Sequence, residues 1–347
     1  MKTGAKASFS QNDMKPFSLL IKPVGGACNL KCSYCFYRDH ASGAMSASTL
    51  RHVLDTYCSL PFDEKSITFQ GGEPLMPQGS ALLEIADEYP VAKGLQTNAT
   101  LMTDAIAERL ARGGWLVGAS LDGPRDLNRF RGESFDAAVR GIRLLEKHGV
   151  DYNLLTVVSK ANVEHPAEVY KYLRDNFSTR FHQYIECTGP RDIINGEEWG
   201  NFLIGIFDEW VKADTHTISI RLFDSIISQI VFGYPTQCSF ANTCEQYLVV
   251  EHDGSIYPCD FNVRDELRLG NILTESYAEL TAKPVYKSFV NAKCNLLTDK
   301  CQKCPYLAFC YGDCPRNRHS LCVGWERFFA HALPELQALA TEAMQSM

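Results

Sequence analysis

Hydrophobic and polar residues alternate along the first two thirds of the chain in a pattern that predicts repeated strand–helix units. Short apolar runs typical of buried strands lie at residues 17–22, 66–70, 93–97, 116–121, 152–158 and 181–186. Apolar residues recur at helical spacing at residues 46–60, 80–89, 103–112, 135–148, 165–176 and 197–213. Six such units in succession predict parallel strands joined by right-handed crossovers. We therefore expect an α/β fold, a partial (β/α)6 TIM-type barrel with its site at the carboxyl ends of the strands.

The pattern changes after about residue 233, where helical periodicity fades and turns become frequent. Nine of the 14 cysteines lie between Cys238 and Cys322, and one hairpin is predicted, with strands at 246–251 and 255–257. A segment with so little apolar pattern needs metal ligation for stability. We expect an N-terminal tail (1–16), the barrel (17–233), a cysteine-rich domain with little regular secondary structure (234–324) and a C-terminal helix (325–347).

Composition and charge restrict the possible functions. The 347 residues include 34 Lys and Arg against 41 Asp and Glu, a formal net charge of −7, and there is no basic block. This balance argues against electrostatic binding of nucleic acid. Residues 1–13 are polar and the apolar run at 17–21 is too short for a signal peptide, and no membrane anchor is expected. We therefore expect a cytoplasmic protein, and 14 cysteines in a reducing compartment indicate metal sites rather than disulfides.

The first cysteine cluster lies on the loop after the first predicted strand. Cys28, Cys32 and Cys35 are spaced C-x3-C-x2-C. Three thiolates can hold three irons of a [4Fe–4S] cluster and leave the fourth iron open for a substrate. The alternative is a zinc site completed by His40, although this is not the ordinary zinc spacing.

This motif, placed after the first strand of an α/β barrel, resembles the radical S-adenosylmethionine superfamily. In that family the open iron binds S-adenosylmethionine, which is cleaved to methionine and a 5′-deoxyadenosyl radical. Residues 71–74, Gly-Gly-Glu-Pro, resemble a family motif in which glycines let the backbone approach the ligand and the carboxylate suits its ammonium group. The relatives also place a serine at the end of the fourth strand and an arginine shortly after it. The resemblance implies a cofactor site formed by Tyr34, Gln70, Gly72, Glu73, Ser120 and Arg131.

Eight further cysteines follow in the cysteine-rich domain. They are spaced as Cys238-x5-Cys244-x14-Cys259, then Cys301-x2-Cys304-x5-Cys310-x3-Cys314, then Cys322. Two Cys₄ zinc sites are one interpretation. The arrangement also resembles the SPASM extension of radical S-adenosylmethionine enzymes, which carries two auxiliary [4Fe–4S] clusters and would bring the total to three. By the family's pattern the first would be held by Cys238, Cys244, Cys259 and Cys314, and the second by Cys301, Cys304, Cys310 and Cys322.

Within this group the chain is most similar to the anaerobic sulfatase-maturating enzymes, on residues 257–261, 312–318 and 321–329. The resemblance implies oxidation of a Cys or Ser side chain on a sulfatase polypeptide to Cα-formylglycine. The radical would remove a hydrogen atom from the substrate Cβ, and an auxiliary cluster would take the second electron. Asp260, next to Cys259, would act as the base. An external low-potential electron donor is a further expected partner.

Two other functions stay open at this point. A related SPASM enzyme could modify a ribosomally made peptide by thioether, carbon–carbon or epimerising chemistry, although such enzymes often carry an N-terminal recognition domain. About 20 residues precede the predicted barrel here. A non-catalytic iron–sulfur or zinc protein is the other alternative, but it would not need the Gly-Gly-Glu-Pro segment or Ser120. The sequence does not distinguish a Cys-type from a Ser-type target.

Overall fold

The computed structural model describes residues 15–187, 189 and 191–346, so the predicted N-terminal tail lies almost entirely outside the described residues. The strands are β1 (Ser18–Ile21), β2 (Ser66–Phe69), β3 (Ala92–Thr97), β4 (Trp115–Ser120), β5 (Tyr152–Val158), β6 (Phe181–Glu186), β7 (Ser219–Ile220), β8 (Tyr247–Val250), β9 (Ser255–Tyr257) and β10 (Gly270–Asn271). The helices are α1 (Ala47–Cys58), α2 (Pro77–Ser80), α3 (Leu83–Asp87), α4 (Asp104–Arg112), α5 (Phe135–His148), α6 (Pro166–Asn176), α7 (Gly196–Trp210), α8 (Arg221–Phe232), α9 (Tyr277–Ala282), α10 (Pro284–Asn295), α11 (Asp299–Gln302), α12 (Leu307–Cys310) and α13 (Arg318–Ser346).

Three helices of the barrel, α1, α4 and α7, begin at a polar side chain that caps the helix. In α1 the Ser46 side chain accepts a hydrogen bond from the Thr49 amide, which satisfies a donor at the open helix end. The buried residues of α1 recur at helical spacing and are Leu50, Val53, Leu54 and Tyr57. This stripe packs into the hydrophobic core that the sheet and its helices share.

The parallel sheet has the predicted α/β architecture. Strands β1 to β7 lie side by side in chain order and each is parallel to the next. The six predicted strands are β1 to β6, and the predicted helix at 80–89 is divided into α2 and α3. The sequence pattern did not indicate β7 and α8. The strand β7 has only two residues, and α8 carries only two charged residues.

The cysteine-rich segment extends the same sheet. Strand β8 is parallel to β1, from the pair Ser18–Tyr247 to the pair Ile21–Val250, and β9 and β10 follow as antiparallel neighbours. The predicted hairpin is thus β8 and β9. Helices α9 to α12 make this segment more regular than its apolar pattern suggests. Because parallel strands end at the same edge, the residues after β1 and after β8 lie together.

The C-terminal helix α13 begins at Arg318 rather than at the predicted residue 325. It packs on α7 through facing glycines, since a Cβ added at Gly324 would lie 2.1 Å from the Gly196 carbonyl oxygen. The indoles of Trp199 and Trp325 pack edge to face beside this crossing, 5.8 Å apart. Within the described part of the chain, no helix combines the length and the apolar character needed to cross a membrane.

Candidate active site

The loop between β1 and α1 carries the first three cysteines. Cys28 is exposed, Cys32 and Cys35 are partly buried, and all three are free thiols. Burial raises the pKa of Cys28 and raises that of Cys32 to about 11. Thiols in this environment stay protonated at neutral pH unless a bound cation replaces the proton. The donor set therefore suits a metal or an iron–sulfur cluster.

The Gly-Gly-Glu segment after β2 lies directly against this loop. The Gly72 amide donates to the Gly25 carbonyl (2.7 Å), and the Glu73 amide donates to the Ala27 carbonyl (2.8 Å). A Cβ added at Gly72 would lie only 1.8 Å from the Ala27 carbonyl oxygen. Glycine is required here because the two backbones are in contact.

Glu73 connects the ends of β2 and β3. Its buried carboxylate accepts hydrogen bonds from the Leu75 amide (2.9 Å), the Thr97 hydroxyl (2.7 Å) and the Asn98 amide (2.8 Å). Burial raises the pKa of Glu73, although these three donors act in the opposite direction. Asn98 also places its side-chain amide 3.8 Å from the Cys28 sulfur. Asn98 was not among the predicted site residues, although its position directly after β3 could have indicated a place in the site.

Tyr34 and Arg131 meet on a carboxylate that follows β4. Arg131 forms an ion pair with Asp122 (Nε to Oδ2, 3.1 Å), and the Tyr34 hydroxyl donates to the same oxygen. The guanidinium lies 5.8 Å from the centre of the Tyr34 ring, and its charge acts on Cys32. Ser120 ends β4, where its hydroxyl accepts a hydrogen bond from Gln96 (3.0 Å). The structure therefore gathers these predicted residues along neighbouring strand ends.

Asp260 lies in a second polar group, where β1 and β8 meet. Its side chain accepts hydrogen bonds from Gln70 (3.1 Å) and from the Tyr247 hydroxyl (3.3 Å). The predicted cofactor residue Gln70 thus contacts the predicted base. Lys22 places its ammonium 3.9 Å from Asp260 and 4.3 Å from the centre of the Tyr37 ring. Burial lowers the pKa of Lys22, whose ammonium has no hydrogen-bond partner among the described residues.

Sequence reasoning missed Lys22 as a site residue, although a charged residue at the end of an apolar strand could have indicated it. The charge of its ammonium acts on both Cys35 and Cys259. Cys35 belongs to the first cysteine loop, and Cys259 belongs to the cysteine-rich segment. The Lys22–Asp260 pair therefore lies between the two cysteine groups.

Eight of the eleven remaining cysteines line two cavities. A cavity of about 720 Å³ is lined by one group of four, Cys238, Cys244, Cys259 and Cys314. A smaller cavity is lined by the other four, Cys301, Cys304, Cys310 and Cys322. These are the two sets that the family resemblance implied. Among the described residues, no three His, Cys, Asp or Glu side chains converge closely enough to hold a single metal ion.

The smaller cavity also contains a donor that needs an acceptor. Arg318 lies on its wall, and the Nη1 atom of Arg318 is buried with no hydrogen-bond partner among the described residues. Four thiols around a void and a cationic donor on its wall suit an anionic, thiolate-bound cluster. The residues of this site thus fit the group that the sequence motifs implied.

Comparison with known proteins gives matches along nearly the whole chain. Residues 23–173 match the radical SAM superfamily, and residues 238–305 match the iron–sulfur cluster-binding domain named SPASM. The chain is 32% identical to a serine-type anaerobic sulfatase-maturating enzyme of Bacteroides thetaiotaomicron, over 95% of this chain and 92% of the relative. It is 31% identical to a cysteine-type enzyme of Clostridium perfringens, over 93% of this chain and 98% of the relative.

Solved structures give the same picture for the fold. The structure of native anSMEcpe with bound AdoMet and Cp18Cys peptide matches with a TM-score of 0.88 and 31% identity. This match covers 95% of this chain and 100% of the other. Streptococcus suis SuiB bound to S-adenosylmethionine has a TM-score of 0.68 at 20% identity, which is a likeness of fold alone.

Proposed function

The chain belongs to the radical SAM family and, within it, to the anaerobic sulfatase-maturating enzymes, and we propose that it oxidises a Cys or Ser side chain of a sulfatase polypeptide to Cα-formylglycine. The observation that carries the proposal is the position of Asp260. Its buried carboxylate adjoins Cys259 and bonds to Gln70, beside the Gly-Gly-Glu segment that contacts the first cysteine loop. A base at this position is close to both cysteine groups.

The proposed cofactors are S-adenosylmethionine and three [4Fe–4S] clusters. The first cluster would be held by Cys28, Cys32 and Cys35, and the two auxiliary clusters by the two sets of four cysteines that line the cavities. When bound, these groups supply a 5′-deoxyadenosyl radical that removes the substrate Cβ hydrogen and an acceptor for the remaining electron. The proposed cofactor-binding residues are Tyr34, Gln70, Gly72, Glu73, Ser120 and Arg131.

Asp260 completes the oxidation by taking a proton. Its carboxylate accepts the proton of the substrate thiol or hydroxyl while one hydrogen atom and one electron leave the same side chain. A Ser substrate becomes the aldehyde directly. A Cys substrate becomes a thioaldehyde, and its hydrolysis gives the aldehyde and hydrogen sulfide.

The neighbours of Asp260 keep the carboxylate in place. Gln70, which follows β2, donates a hydrogen bond to Oδ2, and Tyr247, the first residue of β8, donates one to Oδ1. The two carboxylate oxygens are therefore held by residues of two different strands. Lys22 adds a positive charge 3.9 Å from Oδ2.

The proposed partners are a sulfatase polypeptide and an external low-potential electron donor. Each cleavage of S-adenosylmethionine consumes one electron. The external donor must supply this electron for the first turnover. Support for a polypeptide substrate comes from the cavity of about 720 Å³ next to Asp260, whose lining includes Gln183, Arg221 and Asn262. A cytoplasmic location is part of the proposal because free thiols that bind iron need a reducing compartment.

The test is an anaerobic assay of the reconstituted full chain with S-adenosylmethionine, dithionite and two peptides that differ only in Cys or Ser at the target position. We expect about 12 irons per chain from three clusters. We also expect mass spectrometry to show that the target peptide loses the mass that corresponds to conversion of its CH₂SH or CH₂OH group to CHO. The Asp260→Asn variant should still form 5′-deoxyadenosine but lose aldehyde formation by about 10²-fold or more. Asp265→Asn, at an exposed carboxylate nearby, is the matched control and should retain activity.

Two outcomes would contradict the proposal. Formation of 5′-deoxyadenosine without change in either peptide would favour a different peptide modification. Aldehyde formation by Asp260→Asn at the rate of the unmodified chain would remove Asp260 as the base.

A further inference from the structure

Arg318, the first residue of α13, is a buried cation with one nitrogen that has no partner. Arg318 is among the buried charged residues, at 4% exposure. Nε donates to the Gly312 carbonyl (2.7 Å), and Nη2 donates to the Lys293 carbonyl (2.7 Å). Nη1 has no hydrogen-bond partner among the described residues. Two anchored nitrogens fix the plane of the guanidinium and therefore also the position of the third.

The backbone is adapted to this position of the guanidinium. Gly312 has a φ of +73°, and a Cβ built on it would lie 2.9 Å from Arg318 Nε and 3.3 Å from Cζ. A residue with a side chain would be strained at this φ and would also press against the guanidinium. Gly312 therefore allows Arg318 to lie at the wall of the smaller cavity.

Arg318 is the buried cation of that cavity. The other lining cation is Lys300, whose side chain is 58% exposed and pairs with Glu326 (2.9 Å). Asp313 also lies on the wall, but its carboxylate accepts from the Cys314 amide and the Trp325 indole. Arg318, with one unsatisfied nitrogen, therefore lines the same cavity as four thiols, and the carboxylate on that wall already has other donors.

A buried guanidinium donor without an acceptor is unfavourable, and the sulfur atoms of a thiolate-bound cluster are acceptors. We propose that Arg318 donates from Nη1 to a sulfur of the auxiliary cluster held by Cys301, Cys304, Cys310 and Cys322, and that it raises the reduction potential of that cluster. A hydrogen bond to sulfur and a nearby positive charge both stabilise the more negative, reduced form. One electron added to this cluster is then held more strongly than it would be without Arg318.

This inference rests on the proposed auxiliary clusters, and it concerns a positioning and tuning residue rather than a group that touches substrate. A direct test uses the intact holoenzyme labelled with ¹⁵N in the guanidinium groups of arginine. Pulsed EPR of the reduced second auxiliary cluster should detect a ¹⁵N hyperfine coupling. The coupling should be absent from Arg318→Lys and present in Arg327→Lys, a control at an exposed arginine of the same helix.

The second measurement is an EPR-monitored redox titration of the full chain. Replacement of Cys28, Cys32 and Cys35 by Ala removes the signal of the first cluster from the spectra. Cys322→Ser in the same background then identifies which of the two remaining redox couples belongs to the second auxiliary cluster, because only that couple should change. We expect Arg318→Met to shift the reduction equilibrium of that couple at least tenfold toward the oxidised form, which is about 59 mV for a one-electron couple. Arg318→Lys, which keeps the charge, should shift it less, and Arg327→Met should leave it unchanged.

The outcomes separate this inference from the proposed function. A wild-type chain with zinc or with far fewer than about 12 irons would contradict the three-cluster proposal itself. With the irons present, a missing ¹⁵N coupling in the wild type would overturn the hydrogen bond. An unchanged potential in Arg318→Met would overturn the tuning role, and loss of the second cluster from Arg318→Lys would make Arg318 a structural residue only.

Discussion

Replacement of Gly72 by alanine tests whether the contact between the Gly-Gly-Glu segment and the cysteine loop assembles the first cluster site. Two backbone hydrogen bonds cross this contact, from Gly72 to Gly25 (2.7 Å) and from Glu73 to Ala27 (2.8 Å). An added Cβ would lie 1.8 Å from the Ala27 carbonyl oxygen and 2.4 Å from its carbon. Both are backbone atoms, so no side-chain rotation can relieve the contact.

The size of the effect follows from these distances. To move the Cβ from 1.8 Å to 3.0 Å, below which real contacts essentially do not occur, the segments must separate by about 1.2 Å. Both hydrogen bonds would then lengthen to about 4 Å, beyond the range of about 3.2 Å for N–H···O bonds. Loss of two such bonds costs about 1–3 kcal/mol, and the cost falls on the loop that carries Cys28.

We expect Gly72→Ala to bind about four irons fewer than the unmodified chain and to lose 5′-deoxyadenosine formation, while the auxiliary clusters are retained. Anaerobic iron and sulfide analysis and chromatography of 5′-deoxyadenosine measure both quantities. Gly114→Ala is the control, because nothing lies within 4 Å of the added Cβ, so this variant carries only the backbone strain of a positive φ (+63°), which Gly72 does not have. Full iron content and undiminished 5′-deoxyadenosine in Gly72→Ala would refute the reasoning.

Three further predictions concern the stability of the fold. Burial lowers the pKa of His182 from 6.5 to about 4, so below pH 6.5 the unfolded chain binds a proton that the folded chain does not. The free energy of unfolding should therefore fall by about 1.4 kcal/mol per pH unit as pH drops from 6.5 toward 4, and His182→Gln should remove this slope in denaturant titrations. Glu73→Gln replaces one accepting oxygen by an amide that cannot accept, and a loss of about 1–3 kcal/mol is expected in the same assay; equal stability would contradict the assigned contacts. Gly324→Ala should lower the free energy of unfolding by about 1–3 kcal/mol, because its Cβ would meet the Gly196 carbonyl, whereas the exposed Gln337→Ala in the same helix should change it little.

The six strands of the barrel were predictable because each carries buried residues at strand spacing, in a short apolar run as in β4 or in alternation as in β6. The two elements that the pattern missed, β7 and α8, are adjacent in the chain. The strand β7 has two residues, too few to show a period, and α8 follows it directly with only two charged residues. The start of α13 was placed too late because Arg318 and Leu321, which are buried, stand among polar residues in the sequence.

The sequence by itself determined the parts of the site whose chemistry is local. Cys28, Cys32 and Cys35 lie within eight positions of one loop, so their spacing alone indicates shared ligation. The glycine pair at 71 and 72 is likewise visible as a place where backbones approach. Local features can be read in this way because chain connectivity itself keeps such residues together, whatever the rest of the fold does.

The tertiary structure decided every contact that joins distant segments. Parallel pairing of β8 with β1 brings Asp260 to Gln70 and Lys22, although about 190 and 240 residues separate them in the chain. The docking of α13 likewise places Arg318 and Cys322 at a cavity whose other cysteines come from the segments before that helix. No local pattern marks a lysine as the neighbour of a carboxylate so far along the chain, because the contact is created by strand pairing and helix packing. The sequence gives the residue types that carry the chemistry, but only the tertiary fold determines which of them are in contact.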